Sequence, residues 1–455
     1  MTKPASLNHS VTRTHAFETL TVDGTLPTTL RGTLFRAGPG LLERFGRTVA
    51  HPFEADGAIT AVRIGDGVQG ACRIVEAEEY RLEEKLGKSL YGSTASPFAR
   101  LHNGLTQTFK NTGNTNVLAW QGRCFALVES GKPVEMDVLN LDTKNATDLG
   151  VIQGAFSAHP HRVEALKTTF NFGLRGKHID LYALPDTGSA RWLGSFEAPW
   201  ISMVHDFIAT DRHLIFFIGP AKLVAWRAML GLKDFTKYFR WDNRAGTMIV
   251  IVPLADPAHP MKFEVDAFWV WHFVNAFEDG EDIMVDAIRH DDFSVFASPV
   301  DLNANVSGEP ALWRFRLSPK QGGFSGEPLR PFPCEFPSVH PRYVGAEHRT
   351  IWLQTYTKAD GTEGAGVGRF DTQTRQTQYW HSPEGHLGSE PVFVPEHGDA
   401  PEGWLLQLLQ DPEAKRSYLA VLDSERLDAG PVAKVWFNQA IPMTFHGVFV
   451  PKAKI

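Results

Sequence analysis

Apolar residues in this chain come in short runs broken by turn residues, and the runs tend to come in pairs. Four stretches show it: VLAWQGRCFALVES, MVHDFIATDRHLIFFI, FWVWHFVNAFEDGEDIMVDAI and WLLQLLQDPEAKRSYLAVLD. Each predicts a β-hairpin, because the flanks are rich in Val, Ile, Phe and Trp and the centres carry turn chemistry such as Gln121-Gly122 and Asp279-Gly280. The 40 glycines and 29 prolines are spread over the whole length, with no Pro/Ser linker to mark a boundary. The expectation is one all-β domain over residues 1–455. Many short strands over this length suit a propeller, whose radial repetition keeps sheet edges short. No fixed-period repeat of the WD or kelch kind is present, so the blade count does not follow from the strand pattern.

One segment departs from this rhythm. In residues 221–241, AKLVAWRAMLGLKDFTKYFRW, the apolar Leu223, Trp226, Met229, Leu230, Phe235 and Phe239 alternate with Lys222, Arg227, Lys233, Lys237 and Arg240. Asp234 is the one acid among them. The spacing predicts either an ordinary amphipathic helix packed on the body or an interfacial patch in peripheral contact with a membrane.

Composition narrows the function classes. Hydrophobic residues at 43 % and charged residues at 21 % describe a soluble protein with a sizeable core, and 31 Phe with 12 Trp supply material for an apolar cavity. The net charge of −7 leaves no global basic field for a phosphate backbone, so no nucleic-acid partner is expected. Cys72, Cys124 and Cys334 are far apart with no CxxC pair, which argues against a disulfide framework, a zinc ribbon or an iron-sulfur cluster. The N-terminal residues lack the apolar core of a signal peptide, and no run of about 18 apolar residues occurs. A cytoplasmic protein is expected.

The candidate chemistry lies in histidines. FSAHPHRV, residues 156–163, sets two of them around a proline, and alone it reads as a turn with solvated imidazoles. His159 has three relatives in apolar, strand-like text: His205 in MVHDF, His272 in WVWHFVNAFE and His446 in PMTFHGVF. Taken singly, each reads as a hydrogen-bonded core histidine. Their wide spacing excludes a compact zinc-finger loop but suits groups donated by different blades to a common axis. Imidazole suits iron, copper, nickel or zinc, and ligating histidines need the second ring N–H held, commonly by a carboxylate. Glu129, Glu335 and Glu390 lie in or beside apolar strand text and are candidates for that task.

The ordered series LRGTLFRAGPG, HPFEADGAITA, AHPH, MVHDF, HFVNAFE, EFPSVHPRYVG, SEPVFVP and FHGVFVP, running from about Leu30 to Pro451, resembles the signature set of the carotenoid cleavage oxygenases. Each motif is weak alone, and the order makes the set specific. The resemblance implies a seven-bladed β-propeller, capped by loops and short helices, around a non-haem Fe(2+). It implies that His159, His205, His272 and His446 bind the iron, with His161 outside the set. Glu129, Glu335 and Glu390 would orient three of the histidines, and Thr115 would stand beside an open coordination position. Residues 221–241 fall where the family carries an apolar patch near the substrate tunnel mouth.

The sequence departs from the family pattern in places. Ala37 stands where Asn is usual, and FEADG replaces FDGDG. Val128, directly before Glu129, stands where the stilbene-cleaving branch usually has a lysine that engages a phenol oxygen. The expected reaction is therefore cleavage of a C=C bond in an apolar polyene, a carotenoid or apocarotenoid, by dioxygen. Cleavage of an aryl alkene of the stilbene or isoeugenol type, or retinoid isomerisation, are the alternatives within the family. A protein-binding propeller would need no buried histidine set, and a metallohydrolase would need an unpaired general base beside the metal.

Overall fold

The computed structural model describes residues 9–297, 309–330, 332–357 and 363–452. Antiparallel sheets dominate it, and the four stretches singled out above are all hairpins. The turn chemistry explains two of them. Trp120 pairs with Arg123 across Gln121-Gly122, whose φ values of 50° and 72° are those of a two-residue primed turn. Asp279 pairs with Asp282 across Gly280 at φ 65°.

Seven sheets form the blades of the propeller. Blade one takes its strands from both ends of the chain: Gly447–Pro451 is innermost, followed by Gly32–Leu41, Asp56–Ile64, Val68–Ile74 and His15–Thr19. Blades two to six run consecutively through residues 116–146, 161–197, 208–265, 269–330 and 334–381. Blade seven lies within residues 387–436 and gains Thr21–Gly24 as its outer strand. The chain thus crosses the same seam from both ends, which closes the ring and removes an open edge between blades one and seven.

The core is divided in the same way. Seven apolar clusters each join two neighbouring blades: Phe172, Phe207 and Phe216 between three and four, for example, and Trp352, Phe393 and Tyr418 between six and seven. A strand sandwiched between two clusters is buried on both faces. This is why Gly403–Asp411 reads as a nearly continuous apolar run and not as an alternation.

Residues 221–241 correct the helical expectation. Ala221–Leu223 pairs with Phe239–Trp241 as a two-stranded ribbon, and between them lie a five-residue helix, Ala225–Met229, and a short turn, Phe235–Tyr238. Gly231 at φ 58° ends the helix, and the Asp234 side chain accepts from the Thr236 N–H to start the turn, so no continuous helix can form. The apolar residues consequently divide. Trp226, Met229 and Leu230 are exposed, whereas Phe235 and Phe239 face an inner aromatic cluster with Trp269, Trp271, Phe293 and Phe296. No helix among the described residues is long and apolar enough to cross a membrane.

Blades five and six are tied by a buried ionic group. Asp286, fully buried, receives both Arg314 Nε and Nη2 at 2.7 Å and lies 3.1 Å from His348 Nε2. Burial alone would raise its carboxyl, but the hydrogen bonds from Arg314 and His348 outweigh that and hold it below the ordinary carboxylate range. The stability it contributes is present above the unfolded carboxylate value, about pH 4, and is lost as pH falls through the lower folded value. Asp286→Asn is expected to cost about 3 kcal/mol at neutral pH, read by denaturant unfolding, and to flatten the acid side of the stability profile. An unchanged acid limb would show that another group governs it.

Candidate metal centre

Each blade contributes one residue at the start of its innermost strand to the same end of the axis. In blade order these are His446, Thr115, His159, His205, His272, Glu335 and Glu390, all at or beside the strands Gly447–Pro451, Asn116–Trp120, His161–Val163, Ile208–Ala209, Trp269–Asp279, Cys334–Ser338 and Val392–Pro395. The four histidines are buried and meet. One ring nitrogen from each lies within 4.8 Å of the others. His272 Nε2 is 3.4 Å from His205 Nε2 and 3.2 Å from His446 Nε2, and the His159 ring lies 4.3 Å from that of His205 and 4.6 Å from that of His446.

Three of the other ring nitrogens face carboxylates. His272 Nδ1 lies 2.5 Å from Glu335 Oε2, His446 Nδ1 lies 3.0 Å from Glu390 Oε1, and His205 Nδ1 faces Glu129 Oε1. Where the Nδ1 proton is donated outward to a carboxylate, as at His272 and His446, the imidazole presents its Nε2 lone pair to the centre. His159 has no such acid. Its Nε2 is buried without a hydrogen-bond partner, and burial followed by the neighbouring histidines drives its pKa far down, so the ring is neutral. Four lone pairs directed at one another, one of them orphaned, are costly unless a cation takes them, and the donor set fits ferrous iron.

Three supporting residues lie beyond what the sequence reading named. Arg36 reaches Glu390 Oε2 at 2.6 Å and the Phe445 carbonyl at 2.5 Å, fixing both the acid and the approach to His446. Burial would raise Glu390, but His446 and Arg36 bring it down to about 2. His290 Nε2 binds the second oxygen of Glu335 at 2.8 Å, and His272 and His290 together hold that carboxyl far below its ordinary range despite burial. Asp206 is the third. Its Oδ1 accepts from Phe207 N and pairs with His161 Nε2 at 2.8 Å, while Oδ2 accepts from Phe273 N, locking the strand ends that bear His205 and His272. His161 therefore serves this lock and stands outside the cluster. An Arg in an otherwise apolar strand, Gly32–Leu41, was the one sequence signal for Arg36; nothing in the text around His290 or Asp206 distinguishes them.

Thr115 is buried and its hydroxyl donates to Asn114 Oδ1 at 3.1 Å, while its carbonyl accepts the His446 N–H at 3.2 Å. Glu335 owes its direction to a bulge. Phe336 sits at φ 49°, unusual for a large side chain, and the ladder shifts register between Glu335 and Ser338. The Phe336 ring then lies 5.1 Å from His272 and 5.4 Å from His446. On the other side, Trp271 stands 4.7 Å from His205 and stacks on Phe293, beginning the aromatic cluster of the cap. Chemically, the centre is an all-nitrogen donor set flanked by aromatic rings.

A family model described as "Retinal pigment epithelial membrane protein" matches residues 8–451. The apocarotenoid-15,15'-oxygenase of Synechocystis is 30 % identical, over 94 % of this chain and 91 % of its own. The isoeugenol monooxygenase of Pseudomonas putida is 26 % identical, over 95 % and 94 %. Among solved structures, cobalt-substituted Synechocystis ACO superposes with a TM-score of 0.89 at 28 % identity, covering 98 % of each chain.

The geometry makes the metal set separable from its supports. His446→Ala is expected to abolish iron retention, measured by metal analysis after anaerobic purification, with the fold intact by circular dichroism. Glu129→Gln is expected to weaken iron binding 10-fold to 100-fold. Normal iron content in His446→Ala would contradict the ligand assignment; unchanged affinity in Glu129→Gln would remove only the supporting role of Glu129.

Proposed function

Because the chain belongs to the retinal pigment epithelial membrane protein family, which contains the carotenoid cleavage oxygenases, we propose that it cleaves a C=C bond of an apolar polyene, a carotenoid or apocarotenoid, with dioxygen. His159, His205, His272 and His446 would hold the ferrous iron. The observation that carries this reading is the convergence of their free ring nitrogens beneath an aromatic wall. Iron held by these residues would supply the activation of dioxygen. The reaction balances without a reductant: the C=C bond breaks, each carbon gains one oxygen atom, and two carbonyl products leave.

The protein's own part is binding and positioning. Glu129, Glu335 and Glu390 keep three imidazoles in one tautomer and orientation. The rings of Trp271, Phe293 and Phe296 on one side and of Phe336 on the other would exclude water and guide a conjugated chain past the centre, so that its position selects the bond that reacts. Thr115, on the blade between those of His446 and His159, would border an open position of the centre. No acid-base group is required. Val128 is buried beside Glu129 and offers neither charge nor hydrogen bond to a phenol, which favours a polyene over a stilbene or isoeugenol.

We further propose peripheral membrane contact. Phe98, 85 % exposed, and Leu105, Trp226 and Leu230, each more than half exposed, form an outward apolar patch on two packed helices, Pro97–Thr106 and Ala225–Met229. Gly104 lets them approach, since a Cβ there would stand 2.4 Å from the Met229 carbonyl oxygen. An apolar substrate would be drawn from such a surface. Phe235 faces inward, so Phe98→Glu with Trp226→Glu is the informative pair, and it is expected to release the protein from vesicles in a flotation assay; a parent that binds no vesicle would contradict the contact.

Oxygen uptake by the iron-loaded protein, measured over a panel of apocarotenals, carotenes, stilbenes and isoeugenol with aldehydes quantified in parallel, tests the reaction. Uptake matched to aldehyde from polyenes alone is expected. Turnover of stilbenes or isoeugenol in preference to polyenes would overturn the substrate assignment, and retinoid isomerisation without uptake would overturn the reaction.

A further inference from the structure

Beside the outward apolar patch lies a pocket of about 450 Å³ lined by Arg47, Thr48, Ser93, Thr94, Ala95, Pro97, Arg100 and Lys233. Three of these are bases and none is an acid. By contrast, Arg44 and Lys110 are matched by the carboxylates of Asp56 and Glu83, which they share. Among the described residues, Arg47, Arg100 and Lys233 make no ion pair. Arg47 and Arg100 are instead fixed by backbone carbonyls: Arg47 Nη1 donates to Thr94 O at 2.8 Å, Arg100 Nη1 to Ala95 O at 2.8 Å, and Arg100 Nε to Gly231 O at 3.0 Å. Their remaining N–H groups are thereby held in place without being neutralised. In a chain of net charge −7, three uncompensated bases gathered at one pocket repel one another unless an anion joins them.

The nearest acids are engaged elsewhere. Asp234, next to Lys233, binds Thr236 and lies 3.5 Å from Lys237, and Glu54 accepts the Ser93 N–H from behind the pocket, its carboxyl raised by burial. Ser93 Oγ accepts from Ala50 N at 2.8 Å and its side chain is hydrogen-bonded to Glu54, so Ser93 shapes the pocket wall while the bases supply the donors. The pocket is also placed where an interface would lie. Arg100 shares its helix with Phe98, Leu101 and Leu105, and its bond to Gly231 fastens that helix to the turn after Trp226, Met229 and Leu230.

We propose that this pocket binds the phosphate headgroup of an anionic phospholipid. The proposal rests on the membrane contact above and adds its chemistry: the apolar patch enters the acyl region, and Arg47, Arg100 and Lys233 clasp a phosphate at the level of the headgroups. Guanidinium forks suit phosphate oxygens, and the pocket is of a size for a glycerophosphate group and not only a small ion. The clasp also orients the protein, fixing how the helix pair faces the lipid.

Flotation of the iron-loaded protein with phosphatidylcholine vesicles, and with the same vesicles containing phosphatidylglycerol, tests it. The parent is expected to prefer the anionic vesicles. Arg47→Gln with Lys233→Gln is expected to lose that preference by roughly 30-fold, about 5-fold per base, while retaining binding to neutral vesicles. Lys177→Gln with Lys415→Gln, two bases in distant hairpin turns, changes net charge equally and is expected to lose far less. Equal loss in both pairs, or equal parental binding to both vesicle types, would overturn the headgroup site while leaving the membrane contact standing. No parental binding to either vesicle would overturn the contact itself. Calorimetry with glycerol 3-phosphate adds a final arm: tight binding of the free ester by a parent that ignores anionic vesicles would overturn the lipid source and assign the pocket to a soluble phosphate ester.

Discussion

Four buried imidazoles whose ring nitrogens converge on one point are the constraint from which the rest of this structure is intelligible. Such an arrangement is unfavourable by itself, since nitrogen faces nitrogen at 3.2 and 3.4 Å with no shared proton required by the geometry. It persists because everything around it is rigid. Glu129, Glu335 and Glu390 hold the outward ring nitrogens, and Arg36, His290 and the Asp206 lock hold the surroundings in turn. A cation at the centre would accept all four nitrogen donors at once.

The propeller is a means of meeting that constraint. Seven innermost strands bring one side chain each to the axis, and four are histidine, two are glutamate and one is threonine. The glutamate positions do not point at the metal; they serve the histidine of a neighbouring blade, Glu335 supporting His272 and Glu390 supporting His446. Interlocking both chain ends in blades one and seven matters for the same reason, because His446 precedes the closing strand and would be the first of the set lost if the seam opened.

Much of this was legible in the sequence, and the reasons differ by feature. Hairpins were visible because turn chemistry at Gln121-Gly122 and Asp279-Gly280 is local. The histidine set was visible because imidazole in apolar strand text is uncommon and four such sites recur in a recognisable order. Blade number was not visible in the strand pattern, since strands buried on both faces lose the alternation that would mark a repeat. Of the two readings of residues 221–241, the continuous amphipathic helix failed because periodicity cannot register a ribbon whose two arms pair across a left-handed Gly231 and an Asp234 cap. His290, Asp206 and the bases of the surface pocket were invisible for a simpler reason: their meaning is a spatial partnership, or the lack of one, and no spacing encodes it.

Iron K-edge absorption spectroscopy of the anaerobically prepared protein tests the central claim most directly. The account predicts a first shell of nitrogen scatterers with the multiple-scattering pattern of several imidazoles, and no sulfur. Carboxylate oxygen or sulfur as the dominant protein ligands, or iron lacking the imidazole pattern, would contradict it.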